Sequence, residues 1–234
     1  MGACRWAHSV VVSAEGRVWN FGWGMFGILG HNDEQDRLVP TLLAAEVFEA
    51  SKIVTVCRRG LANHGRGRER SALGVGLRIL RPAGLGDINN RRVPTLVGAA
   101  EVFGGSKVRM AACGYFHTLV VTEAGELWAC GQGAQGQLGL NDGQDRLVPT
   151  RVEPQHFAHA PISAIAAGAS HSAAVTAGGA LYTWGKGEAG DNPGSQVPGG
   201  LGHADLANKL VPTRVDPQHF AHAPISAVAA GFQH

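Results

Sequence analysis

The sequence predicts an all-β protein assembled from repeated units of four short strands. Three observations lead there. Glycine supplies 34 of the 234 residues and charged residues only 16%, a balance that disfavours disordered chains, coiled coils and helical bundles and suits short strands joined by tight turns. The same pieces of text return at intervals of roughly 50 residues, the signature of repeat architectures. Within each interval, short apolar runs flank a glycine turn, which is hairpin text.

The elements follow in order. Each unit opens on a small residue or cysteine followed by a histidine, as in Cys4 to His8, Cys113 to His117, Ala167 to His171 and Ala230 to His234. Hairpins are expected at about 9–21, 118–130 and 172–184, turning at Glu15-Gly16, Ala124-Gly125 and Gly178-Gly179 and returning through Val18-Trp19, Leu127-Trp128 and Leu181-Tyr182. The return strands run into the glycine strings that begin at Gly22, Gly131 and Gly185. A Leu-Val-Pro-Thr tract closes the unit at 38–41, 147–150 and 210–213, with Arg-Val-Pro-Thr at 92–95. Proline there belongs on an edge strand, where no ladder donor is lost. The whole of 1–234 therefore reads as one repeat domain with units at about 4–56, 57–112, 113–166 and 167–229 and a fifth opening at 230–234. Units of this length with four strands each are propeller blades.

The Gly-x-x-His-Ser/Thr opening, the glycine-rich hairpin return and the Leu-Val-Pro-Thr close together resemble the repeats of the regulator of chromosome condensation family. The resemblance covers nearly all the chain except 58–83. It implies a closed seven-bladed ring, of which this sequence supplies about four blades, so an open arc with exposed blade faces is expected, and with it self-association.

Several chemistries are set aside on the residues. Gly22 to Gly27 and Gly131 to Gly136 satisfy the G-x-G-x-x-G spacing of a dinucleotide turn, but no helix follows them and the string recurs once per unit. The histidines His8, His117, His171 and His234 are read as buried rings bonded to neighbouring backbone, since residues a whole unit apart converge on a metal only in the central channel. Cys4, Cys57 and Cys113 recur at unit spacing, a separation expected to hold them apart as reduced strand residues, and none of the four cysteines has C-x-x-C spacing. No nucleophile, base and acid lie close enough to suggest catalysis. No enzyme activity, cofactor or metal is expected, and no apolar run suggests a signal peptide or membrane span.

What remains points to a protein partner. Asp33, Asp87, Asp142 and Asp205 each precede a repeated proline by seven residues, while Arg37, Arg91, Arg146 and Lys209 precede it by three. Each acid is expected to accept loop N–H groups while the cation pairs with it, and the same charges are candidates for a partner-binding rim, Asp33 and Asp142 first among them. Trp6, Tyr115 and Phe232 vary two residues before a repeated histidine, where unit four has Ala169; with Phe116 they are the aromatic candidates for partner contact. An ultraviolet-B photoreceptor that resembles the family in fold relies on clustered tryptophans in Gly-Trp-Arg-His text. This chain has only Trp6 in such a place, so light sensing is not expected.

Residues 58–83 break the pattern. From Arg58 to Arg81 they carry seven arginines against the single Glu69, so the chain's net charge of +2 leaves the remainder negative. A basic glycine-rich stretch is a candidate for nucleic acid or an acidic partner. We read it instead as shifted-frame text, because the interval from Cys57 to Cys113 keeps nearly the length of its neighbour. The function expected is a non-catalytic protein-interaction module or scaffold, cytoplasmic or nuclear, with no nucleic-acid or chromatin role. The alternatives that the resemblance implies are a guanine-nucleotide exchange factor for a small GTPase and the substrate-recruiting part of a ubiquitin ligase.

Overall fold

The computed structural model describes residues 2–5, 8–13, 17–24, 29–44, 102–188 and 200–231. Three four-stranded antiparallel sheets lie among them. The first runs β1 (Gly2–Arg5), β2 (His8–Val12), β3 (Val18–Gly22) and β4 (Arg37–Leu42). The second runs β5 (Val108–Cys113), β6 (His117–Thr122), β7 (Leu127–Gly131) and β8 (Arg146–Arg151). The third runs β9 (Ile162–Ala167), β10 (His171–Thr176), β11 (Leu181–Gly185) and β12 (Lys209–Arg214). The expected hairpins are β2–β3, β6–β7 and β10–β11, in register from His8 opposite Gly22, His117 opposite Gly131 and His171 opposite Gly185.

The sheets are offset from the repeated text. In the second and third, the first strand is the apolar tail of the unit before, so β5 pairs with β6 across the boundary at 112/113 and β9 with β10 across that at 166/167. The unit at 57–112 falls outside the described residues up to 101, and the reading of 58–83 as shifted-frame text lies with it.

Every residue of β6 and β10 is buried, which explains why these strands lack a polar alternate face. Leu119 and Val121 point toward the third sheet, in one cluster with Leu127, Leu138, Val152, Phe157, Ile162, Tyr182 and Trp184. Val120 points the other way, onto Phe103 and Trp128, whose rings meet edge to face with centroids 5.5 Å apart. Two sheets sharing one core in this way is blade-on-blade packing, and burying a Leu or Val side chain contributes about 1.5–3 kcal/mol. The outer strands are wetter. Their ladder shifts register between Ala129 and Gly131 where β7 meets β8, and Pro149 sits opposite that irregularity without costing a ladder bond.

Residues a full unit apart are neighbours, contrary to the expectation from spacing. The Tyr115 N–H donates to the carbonyls of Gly168 and Ala169, at 3.2 and 3.3 Å, because the first strands of adjacent sheets lie side by side. Cys113 is also not the reduced residue expected from the spacing; it is disulfide-bonded. Cys130 is a buried thiol outside any disulfide.

Candidate functional site

Antiparallel order gives each sheet two ends. The connections at 114–116 and 132–145 emerge at one, the loop end; the hairpin turn at 123–126 and the connection at 152–161 emerge at the other, the turn end.

At the loop end, glycine lets backbone meet backbone. A Cβ on Gly133 would stand 2.0 Å from the carbonyl oxygen of Gln144, and its N–H donates to Asp145 Oδ1 at 2.9 Å. Gly24 donates to Asp36, and Gly187 to Asn208, in the same manner. Gly136, at φ +82°, lies against the backbone of Lys209 and Leu210 in the next sheet. The glycine string thus closes a loop and seats the neighbouring blade. Asp36, Asp145 and Asn208 were missed in the sequence, although each stands immediately before the repeated cation.

The acid and cation four apart behave as expected. Asp33 Oδ2 pairs with Arg37 Nη2 at 2.5 Å and Asp205 Oδ2 with Lys209 Nζ at 2.7 Å, and Asp142 pairs with Arg146. The other oxygen of each carboxylate accepts the N–H of Gln35, Ala207 or Gln144. These bonds favour the ionised form. The Gln35 N–H, then Arg37, holds Asp33 below the usual carboxylate range; the Gln144 N–H, then Arg146, does so at Asp142, and Lys209, then the Ala207 N–H, at Asp205. Asp87 lies outside the described residues.

His117 is fully buried, and its ring is bonded across to the next sheet. Its Nε2 meets Ser172 Oγ of the next sheet at 2.8 Å. Ser172 donates its only hydroxyl proton to the Gln137 carbonyl at 2.8 Å, so the imidazole nitrogen must be the donor to Oγ. Trp184 Nε1 donates to the same carbonyl at 3.0 Å. The signal for this relay was present, since Ser or Thr follows each of the first three repeated histidines. His171 is buried with its ring against Gly168. His234, Trp6 and Phe232 lie outside the described residues.

Tyr115 and Phe116, both half-buried, pack edge to face at 4.7 Å between centroids. Their loop is pinned from both sides, by Tyr115 N–H on the next sheet and by the Phe116 carbonyl, which accepts Gln132 N–H at 2.8 Å. The structure therefore puts Tyr115, Phe116 and Asp142 at one end of one sheet, with Asp33 at the corresponding end of the first.

The turn end was not anticipated. A cavity of about 400 Å³ lies between the hairpin turn and the 152–161 connection, lined by Glu126, Arg151, Phe157 and His159 among others. A second, of about 110 Å³, occupies the same place in the third sheet, lined by Ala180, Arg214, Phe220 and His222. Among the described residues no group of three or more His, Cys, Asp or Glu side chains is arranged to hold a metal, and no helix is long and apolar enough to cross a membrane.

Four-stranded sheets sharing one core, seated on each other through glycine loops and a histidine relay, define a repeat-built β-propeller. The model of the regulator of chromosome condensation (RCC1) repeat matches residues 15–57, 84–121 and 124–175, and a second model of that repeat matches 162–191. The chain belongs to this family. It is 34% identical over 233 residues to the ultraviolet-B receptor UVR8 of Arabidopsis thaliana, covering 99% of this chain and 49% of that protein. Among solved structures, human WBSCR16 superposes with a TM-score of 0.77 at 25% identity, and Prp20p of Saccharomyces cerevisiae, described with its binding to Gsp1p and histones, with 0.73 at 20%. Each covers all of this chain, which spans 56% and 54% of theirs. The chain thus spans about half the length of the relatives it matches.

Proposed function

We propose that this chain is a non-catalytic protein-interaction module whose partner surface is the loop end of the sheets. One observation carries the reading: the Tyr115–Phe116 pair is held on a loop pinned by Gly168, Ala169 and Gln132. An aromatic pair whose backbone is already fixed loses little entropy on binding, which is what an interface anchor needs. Asp33 and Asp142 form the rim in this proposal, with Trp6 and Phe232 contributing the corresponding aromatics of other units. Their carboxylates already brace the loops, so they offer a partner only remaining lone pairs.

The compartment, cytoplasmic or nuclear, belongs to the proposal. A chromatin-associated partner is kept within it, given the histone binding described for Prp20p. Light sensing is not part of it, because Tyr115 and Ala169 stand where tryptophans would be needed. The test is an immobilised chain exposed to extract. A paired substitution, Tyr115→Ser with Phe116→Ser, is expected to release the retained proteins without changing the β-sheet circular dichroism. Retention equal to the parent would remove the loop end as the partner surface. Nucleotide exchange is the second reading, and the chain is expected not to speed release of a fluorescent guanine nucleotide from a small GTPase; a clear rate increase would replace the passive module with an exchange factor.

A further inference from the structure

The turn ends of the second and third sheets are built from nearly the same text. Arg151 closes β8 and Arg214 closes β12, and from Pro154 to Ala164 and from Pro217 to Ala227 the residues are identical. The frames agree in detail. Ile162 N–H donates to the Gly125 carbonyl at 3.0 Å and Ile225 N–H to that of Gly179 at 2.9 Å. Val152 N–H reaches the Leu127 carbonyl and Val215 N–H the Leu181 carbonyl, both at 2.9 Å. Both connections place an Ala-His pair at positive φ, Ala158-His159 and Ala221-His222.

One position differs in charge. In the second sheet Glu126 Oε1 accepts from Arg151 Nη2 at 2.6 Å, so that cavity carries its own carboxylate. In the third sheet the residue at that place is Ala180, and the exposed Arg214 side chain makes no ion pair or hydrogen bond with the described residues. The first sheet has neither arrangement, with Arg17 and Leu42 at the two places.

We propose that the cavity lined by Gly179, Arg214 and Pro224 binds a glutamate side chain of a protein partner, its carboxylate taking from Arg214 the bond that Glu126 takes from Arg151. Guanidinium is suited to this, since it presents planar paired donors and stays charged throughout the physiological range. Phe220 and Pro224 supply an apolar wall for the methylenes, and His222 a second polar group at the rim. A space of about 110 Å³ admits a carboxylate and its last waters, each water occupying about 30 Å³. The site names one chemical requirement of the partner and rests on the interaction-module reading, from the opposite end of the sheets.

The probe is a fluorescein-labelled hexaglutamate peptide, followed by anisotropy with the full chain at low salt. Arg214→Gln is expected to weaken binding by about tenfold. Ala180→Glu, which supplies the internal carboxylate, is expected to weaken it at least as much while leaving thermal stability at or above the parent value. Glu126→Ala opens the second cavity and is expected to raise the stoichiometry from one peptide toward two. Binding unchanged in both Arg214→Gln and Ala180→Glu would overturn the proposal. So would a labelled hexathymidylate that binds more tightly than the peptide and loses that binding in Arg214→Gln. The Tyr115→Ser, Phe116→Ser pair is expected to hold the peptide as the parent does, so failure at the loop end and failure at Arg214 are read separately.

Discussion

A single hydroxyl joins two sheets. Ser172 takes the proton of His117 from one blade and gives its own to the Gln137 carbonyl, which also receives Trp184. Removing it leaves a buried imidazole N–H without its acceptor and a buried carbonyl with one donor fewer. Ser172→Ala is expected to lower stability by about 1–3 kcal/mol, the cost of unsatisfied buried groups. The midpoint of urea unfolding checks this, and a midpoint within error of the parent would mean that the relay contributes nothing. Ser172→Thr, which keeps the hydroxyl, should recover part of the loss.

The loops clasped by acid and cation are the elements most legible in the sequence, because both partners and the proline recur at constant offsets. Their electrostatics give a pH dependence with a definite sign. Asp33, Asp142 and Asp205 have pKa values lowered in the fold, while the unfolded chain titrates near 3.9. Their contribution is therefore complete above about pH 5 and is lost as pH falls through the depressed native values. His31 works in the same direction, since burial, then Arg37, lowers its pKa; protonation favours the unfolded chain as pH drops below about 6.5. Acid titration of the urea midpoint is expected to show decline on falling pH, flattened in Asp142→Asn. A rising midpoint on acidification would contradict the assignment. Hairpins, turns and closing prolines were legible for the same reason, that turn chemistry is local. What escaped was everything that needs two units at once: the Ser172 acceptor, the contact of Tyr115 with Gly168, and the disulfide at Cys113. Spacing along the chain measures none of these, because side-by-side first strands make distant residues neighbours. The cavities at the turn end escaped for a different reason, that their walls come from ordinary residues whose significance lies in the Glu126 and Ala180 difference alone.

At the scale of the whole molecule, blades seek blades. Leu210 has its Cδ2 against the Gly136 position of the preceding sheet, whereas the corresponding Leu38 is 94% exposed and Val39 67%. Apolar surface of this kind favours a second copy. The chain is expected to self-associate in sedimentation velocity, and Leu38→Lys with Val39→Lys to shift it toward the monomer; a parent that sediments as a monomer at every concentration would dismiss the idea. The near-identical tracts bear on how such a molecule is made. Ile162–Ala167 reads Ile-Ser-Ala-Ile-Ala-Ala and forms β9 on β10, while residues 225–230 read Ile-Ser-Ala-Val-Ala-Ala and form no strand. Two competitors that differ by one methylene thus exist for the same edge of β10. Their intrinsic preferences cannot separate them, so the choice falls to the three-residue connection at 168–170, which delivers β9 to its place before a more distant rival can arrive. Loop closure thus favours the nearer tract, and lengthening the 168–170 connection is expected to narrow its advantage over the replica.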